Sequence, residues 1–242
     1  MAKKVFFKLA MPSGYDFATG NTINYRDSIG KTVRVPAFDK EPVLCSDSVL
    51  HACVKINDCF VGAKIPCSAF KVAGKPVVDD GSKCGFKELK VIEEIPQERL
   101  DKLFGWKYAE ACNPLNPLKL KPPKIDASIF ALLKNWASVR ASVWASVWDS
   151  VWDSVRDSIW ASVRASVWDS EAAYIGSLFL KIRKWKYVQH KAGVYPFQSC
   201  VDMLRLGLVP SFDGEKWRLH AGPKALPVYE VTREQLQKVM EE

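Results

Sequence analysis

Six thiol and imidazole side chains in the first part of the chain have the clearest chemical potential. They fall within forty residues: Cys45, His51, Cys53, Cys59, Cys67 and Cys84. Thiolate and imidazole are common zinc ligands, and the candidate ligands are Cys45, His51, Cys53 and Cys59. Their spacing matches no standard zinc knuckle or ribbon. We therefore expect no metal, and free thiols that pack as small apolar side chains.

A second candidate stretch, residues 181–191, interleaves basic and aromatic residues. It reads Lys-Ile-Arg-Lys-Trp-Lys-Tyr-Val-Gln-His-Lys. Lysine and arginine neutralise phosphates, and aromatic rings stack on bases. The alternative is an amphipathic strand or helix end with solvated lysines. The candidate nucleic-acid contacts are Lys181, Arg183, Lys184, Trp185, Lys186, Tyr187 and Lys191.

A four-residue repeat runs from residue 136 to residue 170 without a slip in register. It reads WASV RASV WASV WDSV WDSV RDSI WASV RASV WDS. As strands, the repeat would have no apolar face. As a helix, it forms an apolar stripe of Val and the following Trp or Arg, and this stripe drifts by about 40° per repeat. The flanking sequence favours a continuous helix over roughly 126–179, with Asp126 as its cap.

The drifting stripe predicts self-association. Over nearly nine repeats the stripe winds almost once around the helix, and a helix that is apolar all round must be surrounded. Either the protein's own domains enclose it or it packs against copies of itself, and we expect a homo-oligomer. The candidate contact residues are Trp144, Val147, Trp148, Val151, Trp152 and Trp160.

The elements that position these groups predict an α+β protein in successive parts. These are a small N-terminal α+β domain (1–112), a Pro-rich linker (113–125), the repeat helix (126–180) and a small C-terminal α+β domain (181–242). In the first domain we expect strands at 3–11, 31–35, 68–73 and 86–95, and helices at 48–56 and 96–104. In the last, we expect a helix over 197–206 before Gly207, a turn at 212–214 and a capping box from Thr232 to Gln235.

Composition and charge narrow the classes of protein. The net charge of +8 on 242 residues is spread over the domains and the linker, which favours an acidic partner but not a dedicated polyanion binder. No apolar run is long enough to cross a membrane. Seven cysteines without an export signal indicate reduced thiols in a cytoplasm. Phosphate loops and hydrolase motifs are absent, so we predict no catalytic residues and no cofactor, and a non-enzymatic protein is favoured.

Two further sets of motifs stand in the first and last domains. The first set is Cys45-Ser-Asp-Ser-Val-Leu-His-Ala-Cys53, Asp58-Cys-Phe60, Ser68-Ala-Phe-Lys-Val-Ala-Gly74 and Asp79-Asp-Gly-Ser-Lys83. It resembles an uncharacterised family of small domains from phages and mobile elements. The second set, Tyr195-Pro-Phe-Gln198, Gly207-Leu-Val-Pro-Ser-Phe-Asp-Gly214 and Trp217-Arg-Leu-His220, is similar to tails that accompany such tetrapeptide repeats. The resemblance implies a phage or prophage origin and brings no assigned activity.

Residues 43–95 are loosely similar to small ADP-ribosyltransferases of the antibiotic-modifying kind. In those enzymes a strand, a helix and a strand ending in an Asp-rich turn follow one another, and a histidine on the first strand holds NAD. The first strand here reads Phe7-Lys-Leu-Ala-Met-Pro and has no histidine. The likeness therefore implies the fold alone.

Three functions follow in order of expectation. The first is a non-enzymatic interaction or assembly protein that self-associates through the repeat. The second is a nucleic-acid-associated accessory protein that binds through residues 181–191. The third is a divergent or degenerate ADP-ribosyltransferase.

Overall fold

In the computed structural model, the chain forms two compact units, Met1–Cys112 and Asn113–Glu242. The structure describes residues 4–35, 41–143, 145–147 and 168–238. Each unit combines short helices with an antiparallel sheet, which confirms the predicted α+β class. The first unit ends where the Pro-rich segment begins. That segment, the flanks of the repeat and the C-terminal strands belong to the second unit.

The first unit is built on a seven-stranded antiparallel sheet with the order β2-β7-β4-β1-β3-β6-β5. Its core side chains include Phe6, Phe70, Phe86, Leu89 and Val91, all fully buried. Alternation along the strands sends these side chains to one covered face. The strands are β1 (Val5–Ala10), β2 (Thr32–Arg34), β3 (Leu50–Cys53), β4 (Ser68–Ala73), β5 (Pro76–Asp79), β6 (Lys83–Phe86) and β7 (Glu88–Glu94).

Two short helices follow the sheet: α1 (Leu100–Phe104), after a 3-10 turn at Gln97–Arg99, and α2 (Tyr108–Cys112). Gly105 ends α1 in the left-handed conformation, with φ 82°. The amide of Gly105 donates to the carbonyl oxygen of Asp101 at 2.8 Å. The helix thus ends at Phe104, where the predicted helix over 96–104 ends, and a left-handed glycine directly after the last turn is a common helix stop.

The predicted helix over 48–56 is wrong. Leu50–Cys53 is a strand, β3, and a 3-10 turn at Ile56–Val61 follows it. β3 pairs with β1 on one side and with β6 on the other, so its backbone groups are satisfied inside the sheet. Ser46, just before this strand, donates its hydroxyl to the carbonyl oxygen of Val43 at 2.7 Å and caps no helix. Pairing on both sides overrides the weak local preference for a helix.

The second unit packs helices against a three-stranded antiparallel sheet with the order β10-β9-β8. The strands are β8 (Val209–Phe212), β9 (Lys216–Ala221) and β10 (Leu226–Thr232). The helices are α3 (Ala127–Val139), α4 (Trp168–Ser177), α5 (Gln198–Arg205) and α6 (Arg233–Lys238). Both α3 and α4 pack against α5. In the parts of the chain that the structure describes, no helix is long and apolar enough to span a bilayer.

Local capping signals in this unit are confirmed. The carboxylate of Asp126 accepts from the amides of Ser128 at 2.9 Å and Ile129 at 3.3 Å, and α3 begins there. Thr232 and Gln235 form the reciprocal pair of bonds expected of a capping box, at 3.0 and 3.1 Å. Gly207 has φ 79° behind α5.

A single straight helix over 126–179 does not fit the ends of the repeat. α3 tightens into a 3-10 turn at Arg140–Ser142, and residues 148–167 lie outside the described residues. A nitrogen of Arg140 and a carboxylate oxygen of Asp169 are 2.5 Å apart. A straight helix would separate these two positions by about 43 Å, at ~1.5 Å per residue. The two flanks therefore pack in one unit and are not the ends of one rod.

The drift of the repeat is visible in its first turns. Trp136, Val143 and Val147 are buried, as the stripe of Trp and Val predicts. The serine at the third position of the repeat becomes more buried from one repeat to the next. Ser138 is exposed, and Ser146 is fully buried, with its hydroxyl donating to the carbonyl oxygen of Lys186. This inward movement is expected because a repeat of four residues exceeds a helical turn of 3.6.

Candidate functional site

The basic aromatic segment is a loop between α4 and α5, and we call residues 181–194 the basic loop. It has neither helix nor strand, so the expected amphipathic strand or helix end is not what forms. The amide of Gly193 donates to the carbonyl oxygen of Arg183 at 2.7 Å and closes the loop. Just beyond it, the hydroxyl of Tyr195 donates to the carbonyl oxygen of Ala173 in α4 at 2.6 Å. The first contact joins the two arms of the loop, and the second holds the segment after it against α4.

Trp185 anchors the basic loop from the inside. Its side chain is 2 % exposed, and its ring meets that of Tyr195 edge-on at 5.2 Å. A ring with both faces covered offers no surface to a base, so Trp185 cannot stack on a nucleic-acid base as the sequence predicted. The same burial makes Trp185 the packing anchor that holds the loop in one shape.

His190 fixes the path of the loop through two backbone contacts. Its Nε2 accepts from the amide of Trp185 at 2.9 Å. Its Nδ1 lies 2.9 Å from the carbonyl oxygen of Lys191. Both contacts are satisfied by the neutral ring with its proton on Nδ1. The ammonium group of Lys184 also donates to the carbonyl oxygen of His190 at 3.0 Å.

The basic loop concentrates positive charge at the surface. Its five cationic residues are all exposed, and its sequence contains no acidic residue. The rest of 171–242 carries six basic and eight acidic side chains, so the excess of this region comes from the loop. Such a local field attracts polyanions even when the average charge is modest. The five residues are Lys181, Arg183, Lys184, Lys186 and Lys191.

Tyr187 occupies the outer side of the basic loop. Its side chain is 62 % exposed, in contrast to Trp185 two positions earlier. Its backbone has φ 59°, in the left-handed region that non-glycine residues enter at a cost of about 1–2 kcal/mol. The residue before it is held in place, because the carbonyl oxygen of Lys186 accepts from the buried hydroxyl of Ser146. The ring is thus presented outward from a fixed backbone.

The four proposed metal ligands form two separate pairs. The amide of Cys45 donates to Nε2 of His51 at 2.9 Å, and the ammonium of Lys83 donates to the sulfur of Cys45 at 3.3 Å. Cys59 donates its thiol to the carbonyl oxygen of Phe7 at 3.2 Å, and Cys53 pairs with Phe7 across the sheet. Among the described residues, no three side chains of Cys, His, Asp or Glu are placed to hold one metal ion. The geometry therefore does not bring this set together.

Burial shifts the pKa of His51 and of two buried cysteines in the first unit. It is the largest cause that lowers the pKa of His51 to about 4, and the charges of Lys83 and Lys8 lower it further. Burial also raises the pKa of Cys67 to about 12 and that of Cys84 to about 11. All seven cysteines are free thiols, and four of them are buried. Cys67 and Cys84 are therefore poor nucleophiles, because the reactive form is the thiolate.

All three histidines of the chain have structural partners. His51 accepts from the amide of Cys45 and His190 from that of Trp185, as described above. His220 lies 2.8 Å from the hydroxyl of Ser211 and 2.9 Å from the carbonyl oxygen of Ala225. Each ring has one or both nitrogens committed to the fold, which leaves little room for an acid–base role.

A buried ion pair in the first unit was missed by the sequence reasoning. Nζ of Lys8 lies 2.6 Å from a carboxylate oxygen of Asp16, and their side chains are 10 % and 3 % exposed. The ammonium also sits 5.3 Å from the ring centre of Tyr25, which is fully buried. The available signal was Lys8 itself, a charged residue inside an apolar strand. Such a residue must find a buried partner.

The expected self-association surface is described only at its first turn. Val147 is 1 % exposed. Its methyl group packs closely against Gly176 in α4 of the same unit. Val147 is therefore covered by its own unit and is not exposed for contact with another copy. Residues 170–176 of α4 are likewise buried within the unit. The other contact residues, Trp144, Trp148, Val151, Trp152 and Trp160, lie outside the described residues.

Comparison with known proteins found no match to any family model, any curated protein or any solved structure. The resemblances to the mobile-element family and to ADP-ribosyltransferases therefore stay predictions.

Proposed function

We propose that this protein binds nucleic acid through the basic loop. One observation carries the proposal: the loop holds five exposed cationic side chains and no acidic residue within fourteen positions. Phosphate neutralisation by lysine and arginine supplies most of the affinity in sequence-independent binding. A surface with this composition fits a phosphate backbone better than it fits a mixed protein surface.

The fixed shape of the loop favours binding. Trp185 is buried beneath it, His190 bonds to two backbone groups, and Gly193 closes it onto Arg183. A segment already held in one conformation loses less entropy when it meets a ligand. Solvated lysines on a disordered segment would lack this advantage.

Self-association and a reducing location are the remaining parts of the proposal. The tryptophans of the repeat predict a homo-oligomer, in which two or more loops would act on one strand and raise its apparent affinity. The seven free thiols fit a cytoplasm. Both ideas rest on the sequence pattern and on thiol chemistry, and they are separate from the loop itself.

Salt dependence of binding tests the proposal. The full-length protein is titrated against a fluorescently labelled 20-nucleotide strand at several salt concentrations. Five phosphate contacts predict a slope of about −3.5 in log K against log salt, because each contact contributes about −0.7 on a single strand. Between 50 and 200 mM salt, the affinity should then fall by roughly 100-fold.

A charge-matched pair of variants locates the site. Changing Lys181, Lys186 and Lys191 to Gln should reduce the size of the slope by about 2, since three contacts are removed. The control changes three exposed lysines elsewhere in the second unit to Gln and should leave the slope near the wild-type value. Equal effects of the two triple variants would show that net charge, and not the loop, is responsible. The control residues are Lys119, Lys224 and Lys238.

A further inference from the structure

We infer that Cys53 and Cys59 form a redox-active dithiol, which a small hydroperoxide converts into an intramolecular disulfide. Both cysteines belong to the first unit, so this site goes beyond the proposed function and is independent of it. Disulfides of cytoplasmic proteins are rare, and those that form are usually transient and serve catalysis or redox sensing. A pair of thiols in contact inside such a protein is therefore a candidate modification site.

Phe7 in β1 brings the two cysteines together. Cys53 is the last residue of β3 and lies opposite Phe7 in the antiparallel register. Residues opposite each other in such a pair have Cα atoms about 4.5–5.5 Å apart. Cys59 lies in the 3-10 turn that follows β3, and its sulfur is 3.2 Å from the carbonyl oxygen of Phe7. A strand and a turn therefore place their thiols against the same residue.

The two thiols also contact each other. A hydrogen bond between them is the largest cause that lowers the pKa of Cys53 and the largest that raises the pKa of Cys59. At Cys53, burial and the charge of Asp58 oppose this effect, while the ammonium groups of Lys83 and Lys8 support it. The pair therefore releases its first proton more easily than its second. A thiolate beside a protonated thiol can be oxidised and can then close a disulfide.

The other cysteines lack this arrangement. Burial raises the pKa of Cys67 to about 12, that of Cys84 to about 11 and that of Cys200 to about 12. Cys45 is exposed, but the contact at its sulfur is the ammonium of Lys83 and not a thiol. Cys53 is thus the cysteine at which a hydrogen bond with a second thiol outweighs burial.

Exposure decides which oxidants reach the pair. Cys53 is 2 % exposed, and Cys59 is half-buried. A bulky aromatic thiol reagent therefore reaches the pair slowly, whereas hydrogen peroxide is little larger than water. Hydrogen peroxide and small organic hydroperoxides are the class of oxidant that fits this site.

The disulfide forms in two steps. The thiolate sulfur of Cys53 attacks one oxygen of hydrogen peroxide, and the O–O bond breaks. Cys53 becomes a sulfenic acid, and the hydroxide that leaves takes a proton from solvent to form water. The sulfur of Cys59 then attacks the sulfur of Cys53, and the sulfenic hydroxyl leaves with the thiol proton as a second water. Two thiols are oxidised by two electrons in total, and one peroxide is reduced to two water molecules.

Peptide mapping of full-length Cys45→Ser protein tests the inference. This variant lacks the exposed thiol, so oxidation reports on the six cysteines that remain. The folded protein is treated with hydrogen peroxide, the excess is destroyed with catalase, and free thiols are alkylated during unfolding. Two of the six thiols should escape alkylation, and dithiothreitol should restore both.

The position of Lys55 makes the bond easy to identify. Trypsin cleaves after Lys55, which lies between Cys53 and Cys59 in the sequence. The expected disulfide therefore joins two tryptic peptides, 41–55 and 56–64, and reduction separates them. In Cys45→Ser protein each of these peptides contains one cysteine, so the mass of the joined pair assigns the bond without ambiguity.

Further variants of the Cys45→Ser protein assign the role of each thiol. Cys53→Ser removes the attacking thiolate and should yield no joined peptides. Cys59→Ser should stop at oxidation of Cys53, so peptide 41–55 gains oxygen and stays single. The matched control is Cys84→Ser, which removes a fully buried thiol from the neighbouring strand β6 and should leave the joined peptides unchanged. Far-UV circular dichroism before oxidation shows that each variant is folded.

Three results would overturn the inference. The first is alkylation of all six thiols after a dose of peroxide that oxidises Cys45 in the wild type. The second is a loss of two thiols that map to cysteines other than Cys53 and Cys59. The third is an unchanged loss of two thiols in both Cys53→Ser and Cys59→Ser. The first result needs no change at the pair itself, so the inference can fail even if those variants do not fold. Nucleic-acid binding is measured separately by its salt dependence and is not affected by any of these results.

Discussion

Asp16→Asn should lower the free energy of unfolding of the first unit by about 3–5 kcal/mol. The carboxylate of Asp16 lies 2.6 Å from Nζ of Lys8, and both side chains are nearly inaccessible to water. The substitution removes the negative charge and leaves the ammonium of Lys8 buried without a counter-charge. Asparagine keeps a side-chain oxygen for the amide of Ala18, which donates to Asp16 at 2.8 Å. The loss therefore reports on the charge and not on the turn.

A double variant tests whether the loss of stability in Asp16→Asn comes from the ammonium of Lys8 being left without a counter-charge. Lys8→Met with Asp16→Asn removes both charges from the interior and should recover most of the stability that Asp16→Asn loses. This recovery is expected because a buried pair contributes little net stability compared with apolar side chains of similar volume. The large loss in the free energy of unfolding arises when one buried charge is left without its partner.

The ion pair of Lys8 and Asp16 also makes the free energy of unfolding depend on pH. Burial is the largest single effect on Asp16 and by itself raises its pKa. The charge and hydrogen bond of Lys8 and the amide of Ala18 outweigh burial, so the pKa lies below its usual value. A carboxyl group with a lowered pKa in the folded state stabilises the fold above the pKa of the unfolded chain, about 3.9. That stability is lost as the pH falls below this value, and Asp16→Asn should not show the loss.

Urea unfolding followed by circular dichroism measures these effects. At an unchanged dependence of the free energy on urea concentration, a shift of the unfolding midpoint gives the change in stability. The matched control is Glu88→Gln, which breaks an ion pair with Arg34 of similar length, 2.9 Å, but with side chains 52 % and 70 % exposed. Exposed pairs contribute at most about 1 kcal/mol. If Asp16→Asn cost no more than Glu88→Gln, the assignment of a buried, unscreened charge pair would be refuted.

Two further predictions concern the thiols and the repeat. With a chromogenic thiol reagent, the native protein should show one fast-reacting cysteine, Cys45, because it is exposed and the ammonium of Lys83 lies 3.3 Å from its sulfur. Cys67 should react only after denaturation, because it is buried. A fast phase that survives Cys45→Ser would contradict the assignment. Trp148→Ser combined with Trp152→Ser should lower the mass measured by light scattering while both units stay folded, and a monomeric wild type at micromolar concentration would exclude assembly through the repeat.

Parts of the fold that depend on neighbouring residues were predictable from the sequence. Asp126, Gly105 and Gly207 act at helix ends through bonds or backbone angles within a few positions. The strands around Val5–Ala10 and Glu88–Glu94 were also expected, because their apolar residues leave little choice of environment. Such signals are local, so no knowledge of the rest of the chain is needed.

The strand Leu50–Cys53 was mistaken for a helix because its stability comes from distant partners. Phe7 pairs with Cys53 from one side, and the strand Lys83–Phe86 pairs with it from the other. Nothing within four residues of the strand shows these partners. The ion pair of Lys8 and Asp16 was hidden for the same reason, since the turn that brings Asp16 beneath the sheet cannot be inferred from spacing.

The candidate site was predictable in its charge but not in its orientation. Trp185 and Tyr187 are two positions apart, each with a lysine on either side or nearby, and the pattern treats them alike. The structure separates them, because Trp185 packs against Tyr195 while Tyr187 remains at the surface. Which ring faces the core depends on the space that α4 and α5 leave, and this information lies outside the segment.

The two flanks of the repeat show why a regular pattern predicted one long helix. Each flank has helical spacing and no glycine or proline breaks the repeat, so local rules favour continuation. A helix in water also needs cover for its apolar side chains. α3 and α4 both find that cover on α5, and Arg140 meets Asp169 while its guanidinium lies 5.3 Å from the ring centre of Phe212. Burial against a shared partner stabilises this arrangement more than helical propensity stabilises an exposed rod, because most helix stability in proteins comes from tertiary packing.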